Sequence, residues 1–345
     1  MKIAITNAFL PSEEQSGVPY QVHYLAESLI ASGHDVTVFS FSPKPAGATY
    51  AIHQFKRPKV PARYLPFFMA YKLAVTDFSD FDVVNVHGDN YLMRTKTPVV
   101  RTFNGAAVEE RKNARTWRRR LFFSVLIPLE WLGAKMADHV VGISETTRVS
   151  IPNVETLIPC GVDLRRFHSG AKTERPTVFF VGTEQGRKRG AWLAEIFKEK
   201  VLPVVPAAEL RMVSESSSTE PGIRRYGRVP ASELADLYRS SWIFCLPSTY
   251  EGFGVPYIEA MASNTAVIAT SPNPGAEEVL AKGSFGAFVS DDKLSDTIIA
   301  LLTNDAKREE LEQRGLARSR DYSWTEVGAK YVETFSKVIS AKAKS

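Results

Sequence analysis

Two successive doubly wound α/β domains are the architecture this sequence predicts, and three observations carry the prediction. The chain has 345 residues, long for one domain and comfortable for two. Short apolar runs of strand length alternate with helix-period segments through both halves. A polar stretch with glycine and proline, HSGAKTERP at His168–Pro176, separates the halves and reads as a linker. The expected division is 1–168 and 169–324, with a C-terminal helix over about 325–345 packing back onto the first domain. In such sheets ligands bind outside the carboxyl ends of the strands, and a cleft facing both domains is the expected site.

In the first half the strand-like runs are KIAIT, DVTVFSF (Asp35–Phe41), DVVNVH (Asp82–His87), PVVRTF (Pro98–Phe103) and DHVVGI (Asp138–Ile143). Helical spacing lies between them, as in Val22, Leu25, Ala26 and Leu29. In the second half the runs are TVFFVG (Thr177–Gly182), AELRMV (Ala208–Val213), WIFCLP (Trp242–Pro247), TAVIAT (Thr265–Thr270) and GAFV (Gly286–Val289), followed by helical segments from about Leu294 to Ala341. Continuous apolar strands spaced by helices imply parallel sheet covered on both faces.

Hydrophobic residues at 44% and charged residues at 23% are ordinary for a folded soluble domain. The two cysteines, Cys160 and Cys245, lack the spacing of a zinc or redox site and read as reduced thiols. KIAIT follows the first residue at once, no cleavage-site pattern follows, and no apolar run approaches the roughly 18 residues that span a bilayer. The expected location is the cytoplasm. The net charge is +5, and the stretch Arg101–Arg120 holds seven basic and two acidic residues, so the basic excess is local and points to an anionic partner there.

A dinucleotide dehydrogenase would show GxGxxG directly after an early strand. The chain reads NAFLPSEEQSGVP after KIAIT and TEQGRKRG after TVFFVG, which argues against it. The informative segment is EGFGVPYIE, Glu251–Glu259. Glu251 follows a strand's carboxyl end, Gly252 and Gly254 permit a turn, and Pro256 suits the first turn of a helix. Glu259 is then expected in that first turn, near Glu251. A helix start attracts phosphate oxygens, while glutamates accept hydrogen bonds from sugar or ribose hydroxyls. Taken singly, Glu259 reads as offsetting a helix dipole and Glu251 as a solvated loop residue; together with the glycines and proline they point to an anionic ligand bearing hydroxyls.

LPSTYEGFGVPYIEAMASNTAVIATSPNPGAEEVL resembles the donor-site signature of family 4 of the retaining glycosyltransferases. SGVPYQVHYLAESLIASGHDVTVFS, ADHVVGISE, LIPCGVDLRRF and the stretch from Tyr226 to Tyr331 agree with that family in order and spacing. The resemblance implies the GT-B fold, two doubly wound Rossmann-like domains facing a central cleft, and transfer of a hexose from a UDP- or GDP-sugar to a hydroxyl. It implies that Glu251 holds the transferred sugar and Glu259 the ribose, with Gly252, Phe253, Gly254 and Val255 around the donor. Cations should neutralise the departing diphosphate. The family's arginine after the glycine is here Thr183, so Arg187 and Lys188 are the candidates, with Arg189 beside them. Gly17 stands where the family places a loop near the donor phosphate, although the first of its usual two glycines is Ser16. Where the family usually has a histidine contacting the sugar, this chain has Asn104, which hydrogen-bonds but carries no charge. His87 ends a strand-like run and is a further candidate, although a lone histidine is more often structural. No metal and no cofactor are expected.

The segment 109–136 sets a basic cluster beside apolar residues, and PARYLPFFMAY (Pro61–Tyr71) adds to it. Lys and Arg beside Trp and Phe suit an anionic membrane surface and a lipid-linked or glycan acceptor, at the inner face of the membrane. Burial as a domain helix is the competing account of the apolarity of 121–136, though not of Arg118, Arg119 and Arg120 in a row. No recognised nucleic-acid motif accompanies the charge. Two rivals stand beside the transferase reading: a catalytically silent sugar-nucleotide-binding protein, which Asn104 favours, and a glycoside phosphorylase, which needs inorganic phosphate or pyridoxal phosphate.

Overall fold

An apolar run becomes a central strand when strands on both sides satisfy its backbone and helices cover both its faces. Most of this chain follows that rule. The computed structural model describes residues 1–11, 17–114 and 116–344. They divide into two units, Met1–Gly161 with Trp324–Ser345, and Val162–Ser323.

In the first unit, β1 (Lys2–Thr6), β2 (Asp35–Ser40), β3 (Ala51–Gln54), β4 (Val83–Val86), β5 (Val99–Phe103), β6 (His139–Gly142) and β7 (Thr156–Leu157) form one sheet. Its order is β3-β2-β1-β4-β5-β6-β7, parallel throughout. Helices α1 (Gly17–Ala31), α2 (Leu65–Ala74), α3 (Ala107–Lys112), α4 (Trp117–Met136) and α5 (Glu145–Ser150) connect the strands. The pleat sends alternate residues of β1 to opposite faces. Ile3 and Ile5 pack with Val22, Leu25 and Leu29 of α1, whereas Ala4 packs with Phe39, Met69 and Phe78 on the other face. Strand order reverses between β1 and β4, and the His87 N–H donates to the Thr6 carbonyl at 2.9 Å there.

The second unit holds β8 (Thr177–Val181), β9 (Glu209–Val213), β10 (Ser217–Glu220), β11 (Ile223–Tyr226), β12 (Ile243–Leu246), β13 (Ala266–Thr270) and β14 (Ala287–Val289). Their order is β10-β11-β9-β8-β12-β13-β14, with only β10 antiparallel to its neighbour. Its helices are α6 (Gly190–Ile196), α7 (Ala231–Ser240), α8 (Val255–Ala262), α9 (Pro274–Val279), α10 (Leu294–Thr303) and α11 (Asp305–Ser319). Phe179, Phe180, Phe244 and Cys245 are fully buried at its centre. Here the order reverses between β8 and β12.

The chain returns to the first unit as α12 (Trp324–Lys342), whose Tyr331, Phe335 and Val338 share a core with α1. The return is anchored at Gly161. The Gln21 side chain brackets this residue, accepting from its N–H at 2.8 Å and donating to its carbonyl at 3.0 Å. The Trp324 ring lies against it, so an added Cβ would stand 2.5 Å from that indole. With the backbone held and the ring stacked on Tyr24, neither side can yield freely. Gly161→Ala is expected to destabilise the first unit by about 1–3 kcal/mol through overpacking. A lowered urea midpoint checks this, and an unchanged midpoint refutes it.

Candidate active site

Loops leaving the carboxyl ends of β8 and β12 meet at the reversal of strand order in the second unit, the place where open α/β sheets bind ligands. The Thr249 N–H donates to the Arg187 carbonyl at 2.9 Å and fastens the two loops together. Glu251, at 5% exposure, points back toward the first of them. Its Oε1 lies 2.8 Å from Arg187 NH1 and 2.8 Å from Lys188 Nζ. Arg187 NH1 also donates to the Tyr250 carbonyl at 2.6 Å. Burial pushes the Glu251 carboxyl up, but Lys188 and Arg187 outweigh it and hold the group below its ordinary range. Burial pulls Lys188 down in spite of Glu251. Two cations around one carboxylate leave a net positive charge, which suits a diphosphate.

The other residues read from the sequence fall around this centre. Gly254 has φ +106° and would drive a Cβ to 2.6 Å from the Tyr257 ring, so only glycine fits before α8. No heavy atom lies within 4 Å of where a Cβ on Gly252 would stand. Val255 opens α8, and Phe253 packs its ring edge-on to Tyr322 at 5.8 Å. Because α8 begins at Val255, Glu259 is its fifth residue and belongs to the second turn, not the first. Burial pushes its carboxyl up to about 7, against the pull of the Tyr238 hydroxyl, Arg166 and Lys188. Arg189 turns away from Glu251: with φ +59° it lies over the Trp192 ring at 3.6 Å and pairs with Asp291 at 2.8 Å.

Asn273 escaped the sequence reading. Its Oδ1 accepts from the Glu251 N–H at 3.0 Å and from the Ala276 N–H at 3.3 Å, while its Nδ2 donates to the Ser248 carbonyl at 2.8 Å and the Tyr257 hydroxyl at 3.1 Å. This buried side chain caps α9 and fixes both ends of the Glu251 turn. Gly275 lets α9 approach, since a Cβ there would stand 2.5 Å from the Glu251 carbonyl. The available signal was Asn-Pro-Gly, an N-cap followed by proline at the first helical position.

In the first unit, the structure joins two candidates read separately. Asn104 Nδ2 donates to His87 Nδ1 at 3.1 Å. His87 Nε2 meets Asn85 Oδ1 at 2.7 Å, and Asn85 Nδ2 donates to the Val100 carbonyl and to Thr102 Oγ1. The amide of Asn85 thereby assigns the proton of His87 to Nε2, leaving Nδ1 to accept from Asn104. Burial, with Arg101 nearby, lowers the His87 pKa to about 3, so the ring stays neutral. Gly17 is the first residue of α1. Ser16, the departure noted before it, lies outside the described residues.

The first unit also carries an uncovered apolar surface. Burial was a competing account of the apolarity of α4: Gly133 and Ala134 are buried and Phe122, Phe123, Leu126, Ile127 and Leu129 half-buried, which leaves one stripe unexplained. Trp117, Leu121 and Val125 form a stripe at 69%, 58% and 52% exposure. Phe122 meets Phe67 of α2 at 6.3 Å, and Phe68 and Tyr71 of α2 are exposed beside it. A cavity of about 710 Å³ next to α2 is lined by Phe41, Phe67, Phe68 and Tyr71 together with Lys56, Arg57, Lys59 and Lys72. Arg118 and Arg119 flank the stripe on α4, while Arg115 lies outside the described residues. Among the described residues, no helix is long and apolar enough to cross a membrane.

Two family models match the chain, Glycosyltransferase Family 4 over residues 15–166 and Glycosyl transferases group 1 over residues 206–318. Phosphatidyl-myo-inositol mannosyltransferase of Mycobacterium tuberculosis is 27% identical, with 95% of each chain covered. MMP alpha-(1->4)-mannosyltransferase of Mycolicibacterium hassiacum is 24% identical, covering 99% of this chain and 100% of that one. Among solved structures, HepE of Anabaena in complex with UDP-glucose superposes with a TM-score of 0.73 at 13% identity, covering 98% of this chain and 100% of that one. With a first sheet that fits one family model, a second sheet that fits the other, and full-length kinship to mannosyltransferases, the chain belongs to the family 4 glycosyltransferases of GT-B fold.

Proposed function

We propose that this glycosyltransferase moves a hexose, mannose by the names its relatives carry, from a UDP- or GDP-sugar to a hydroxyl of a lipid-linked or surface-glycan acceptor. The observation that carries the reading is the pair Arg187 and Lys188 gathered on Glu251 beside the start of α8. The sugar–phosphate bond breaks with charge accumulating on the diphosphate, and two preorganised cations stabilise that charge without a metal. A protein of like fold, HepE, was solved with UDP-glucose, which supports a nucleotide-sugar donor.

The anomeric configuration is retained in this reading. Glu251 is given to the hydroxyls of the transferred sugar and not to C1, so the acceptor oxygen bonds C1 on the face from which the diphosphate departs. The leaving phosphate oxygen takes the acceptor's proton. Asn104, standing where the family has histidine, offers the sugar a neutral hydrogen-bonding group, and His87 sets the orientation of its amide.

The acceptor side rests on the uncovered surface of α2 and α4. Exposed aromatic and aliphatic side chains flanked by Lys and Arg fit an anionic lipid interface. The enzyme then works as a peripheral protein at the cytoplasmic face of a membrane, where a lipid-linked acceptor is presented.

Four outcomes are expected. UDP or GDP at a hundred times its dissociation constant raises the native-state stability by about 2.7 kcal/mol by mass action, read as a higher melting temperature; no shift with UDP, GDP or ADP counts against the donor. Donor hydrolysis or transfer by wild type disappears in Glu251→Ala. Sugar-nucleotide affinity rises by up to about tenfold from pH 6 to pH 8, because ionisation of Glu259 around pH 7 creates the acceptor for ribose hydroxyls. The donor's own diphosphate does not titrate in that range, and Glu259→Gln should flatten the profile. Finally, wild type sediments with vesicles containing phosphatidylglycerol and is released by salt, while Leu121→Asp with Val125→Asp weakens that binding at least about tenfold. Equal binding by the double variant refutes the surface.

A further inference from the structure

The carboxylate assigned to the sugar is already occupied. Oε1 of Glu251 stands 2.8 Å from Arg187 NH1 and 2.8 Å from Lys188 Nζ, the two cations a diphosphate needs. Opposite charge holds the three together, with Lys188 and Ser248 also hydrogen-bonding the carboxylate. Glu251 is buried, and water has little access to replace its partners. Arg187 is the more exposed of the two cations and also donates to the Tyr250 carbonyl. A diphosphate carries more charge than a carboxylate and can draw both cations off. The Glu251 backbone stays in place meanwhile, since Asn273 holds its N–H.

We propose that Glu251 is the internal counter-ion of the donor site, exchanging Arg187 and Lys188 for the hydroxyls of the transferred sugar when the diphosphate binds. This rests on the donor reading given above. An intact donor supplies both halves of the exchange: its phosphates take the cations and its sugar satisfies the carboxylate. After transfer, the nucleoside diphosphate still competes for the cations but brings no hydroxyl for Glu251. A buried carboxylate left unpaired is strongly unfavourable, so it reclaims Arg187 and Lys188 and displaces the product. One side chain thereby couples recognition of sugar to recognition of diphosphate and favours substrate over product.

Calorimetry on wild type and Glu251→Gln, with GDP, GDP-mannose, UDP and UDP-glucose as probes, tests this. Glutamine keeps the shape and leaves the cations free. For whichever base wild type binds, the variant should bind the diphosphate at least about tenfold more tightly and lose the preference for the sugar nucleotide. In wild type, free mannose or glucose should tighten binding of the diphosphate severalfold, an effect absent from Glu251→Gln. An equal change for diphosphate and sugar nucleotide, or no effect of free sugar on wild type, overturns the exchange. If circular dichroism shows the variant unfolded, the sugar effect on wild type decides alone. Failure of wild type to bind any of the four probes would instead remove the donor reading itself.

Discussion

A carboxylate taken out of water needs compensating charge, and Glu251 finds it in Arg187 and Lys188. Removing the partners of such a buried group costs about 3–5 kcal/mol, so the loop after β8 and the loop after β12 cannot vary independently. Each nearby oddity of sequence follows from that constraint. Gly254 supplies the left-handed turn that brings α8 beneath the carboxylate. Gly275 admits α9 against the Glu251 carbonyl, and Asn273 spends its whole hydrogen-bonding capacity on fixing the turn. Thr183, where the family has arginine, bonds the Gln185 carbonyl at 2.8 Å, and the guanidinium that meets Glu251 comes from Arg187 at the far end of the loop.

The first unit solves a different problem with different chemistry. At its own reversal of strand order, between β1 and β4, it places neutral groups: Asn85, His87 and Asn104 in one hydrogen-bonded row. A charged imidazole there would be opposed by burial and by Arg101. Each amide fixes the donor and acceptor roles of the next, so the row has one arrangement, not several. Such a row can orient a hydroxyl but cannot neutralise a phosphate.

The central strands were legible because a fully buried parallel strand is mostly apolar, as in IFCL, although VVRTF buries Arg101 and Thr102 as well. The edge strands were not. AIHQ in β3 is largely exposed and SSTE in β10 is polar, so neighbouring backbones, not their own pattern, make them strands. In the site, Glu251 stood out by its glycine turn and the helix start after it, while Arg187 and Lys188 were singled out through the family resemblance, and the structure brings the three together. Arg189 belonged to the same basic run, but a single left-handed residue sends it to Asp291. Asn273, 22 positions from Glu251, acts through a contact that no local spacing encodes. Glu259 was placed one turn too early because the helix start depends on the conformation of Gly254, which composition does not fix.

The apolarity of α4 shows where pattern and packing part company. A stripe at i, i+4 and i+8 normally faces a core, and Trp117, Leu121 and Val125 are spaced that way. Full burial in the first unit reaches only Gly133 and Ala134 at the other end of the helix, leaving the stripe uncovered. Thr116 caps that end, accepting from the Arg119 N–H at 3.3 Å, and Arg119 pairs with Glu110 of α3 at 2.9 Å, so polar contacts secure the first turn. Keeping such side chains in water is costly, and nothing in the unit's own packing recovers that cost. Flanking arginines keep the same stripe soluble and also draw it toward negative charge. On the proposed reading, an interface that is apolar within and anionic at its edge would cover the stripe and pair its flanking arginines, so the acceptor's phase would be matched by a single helix.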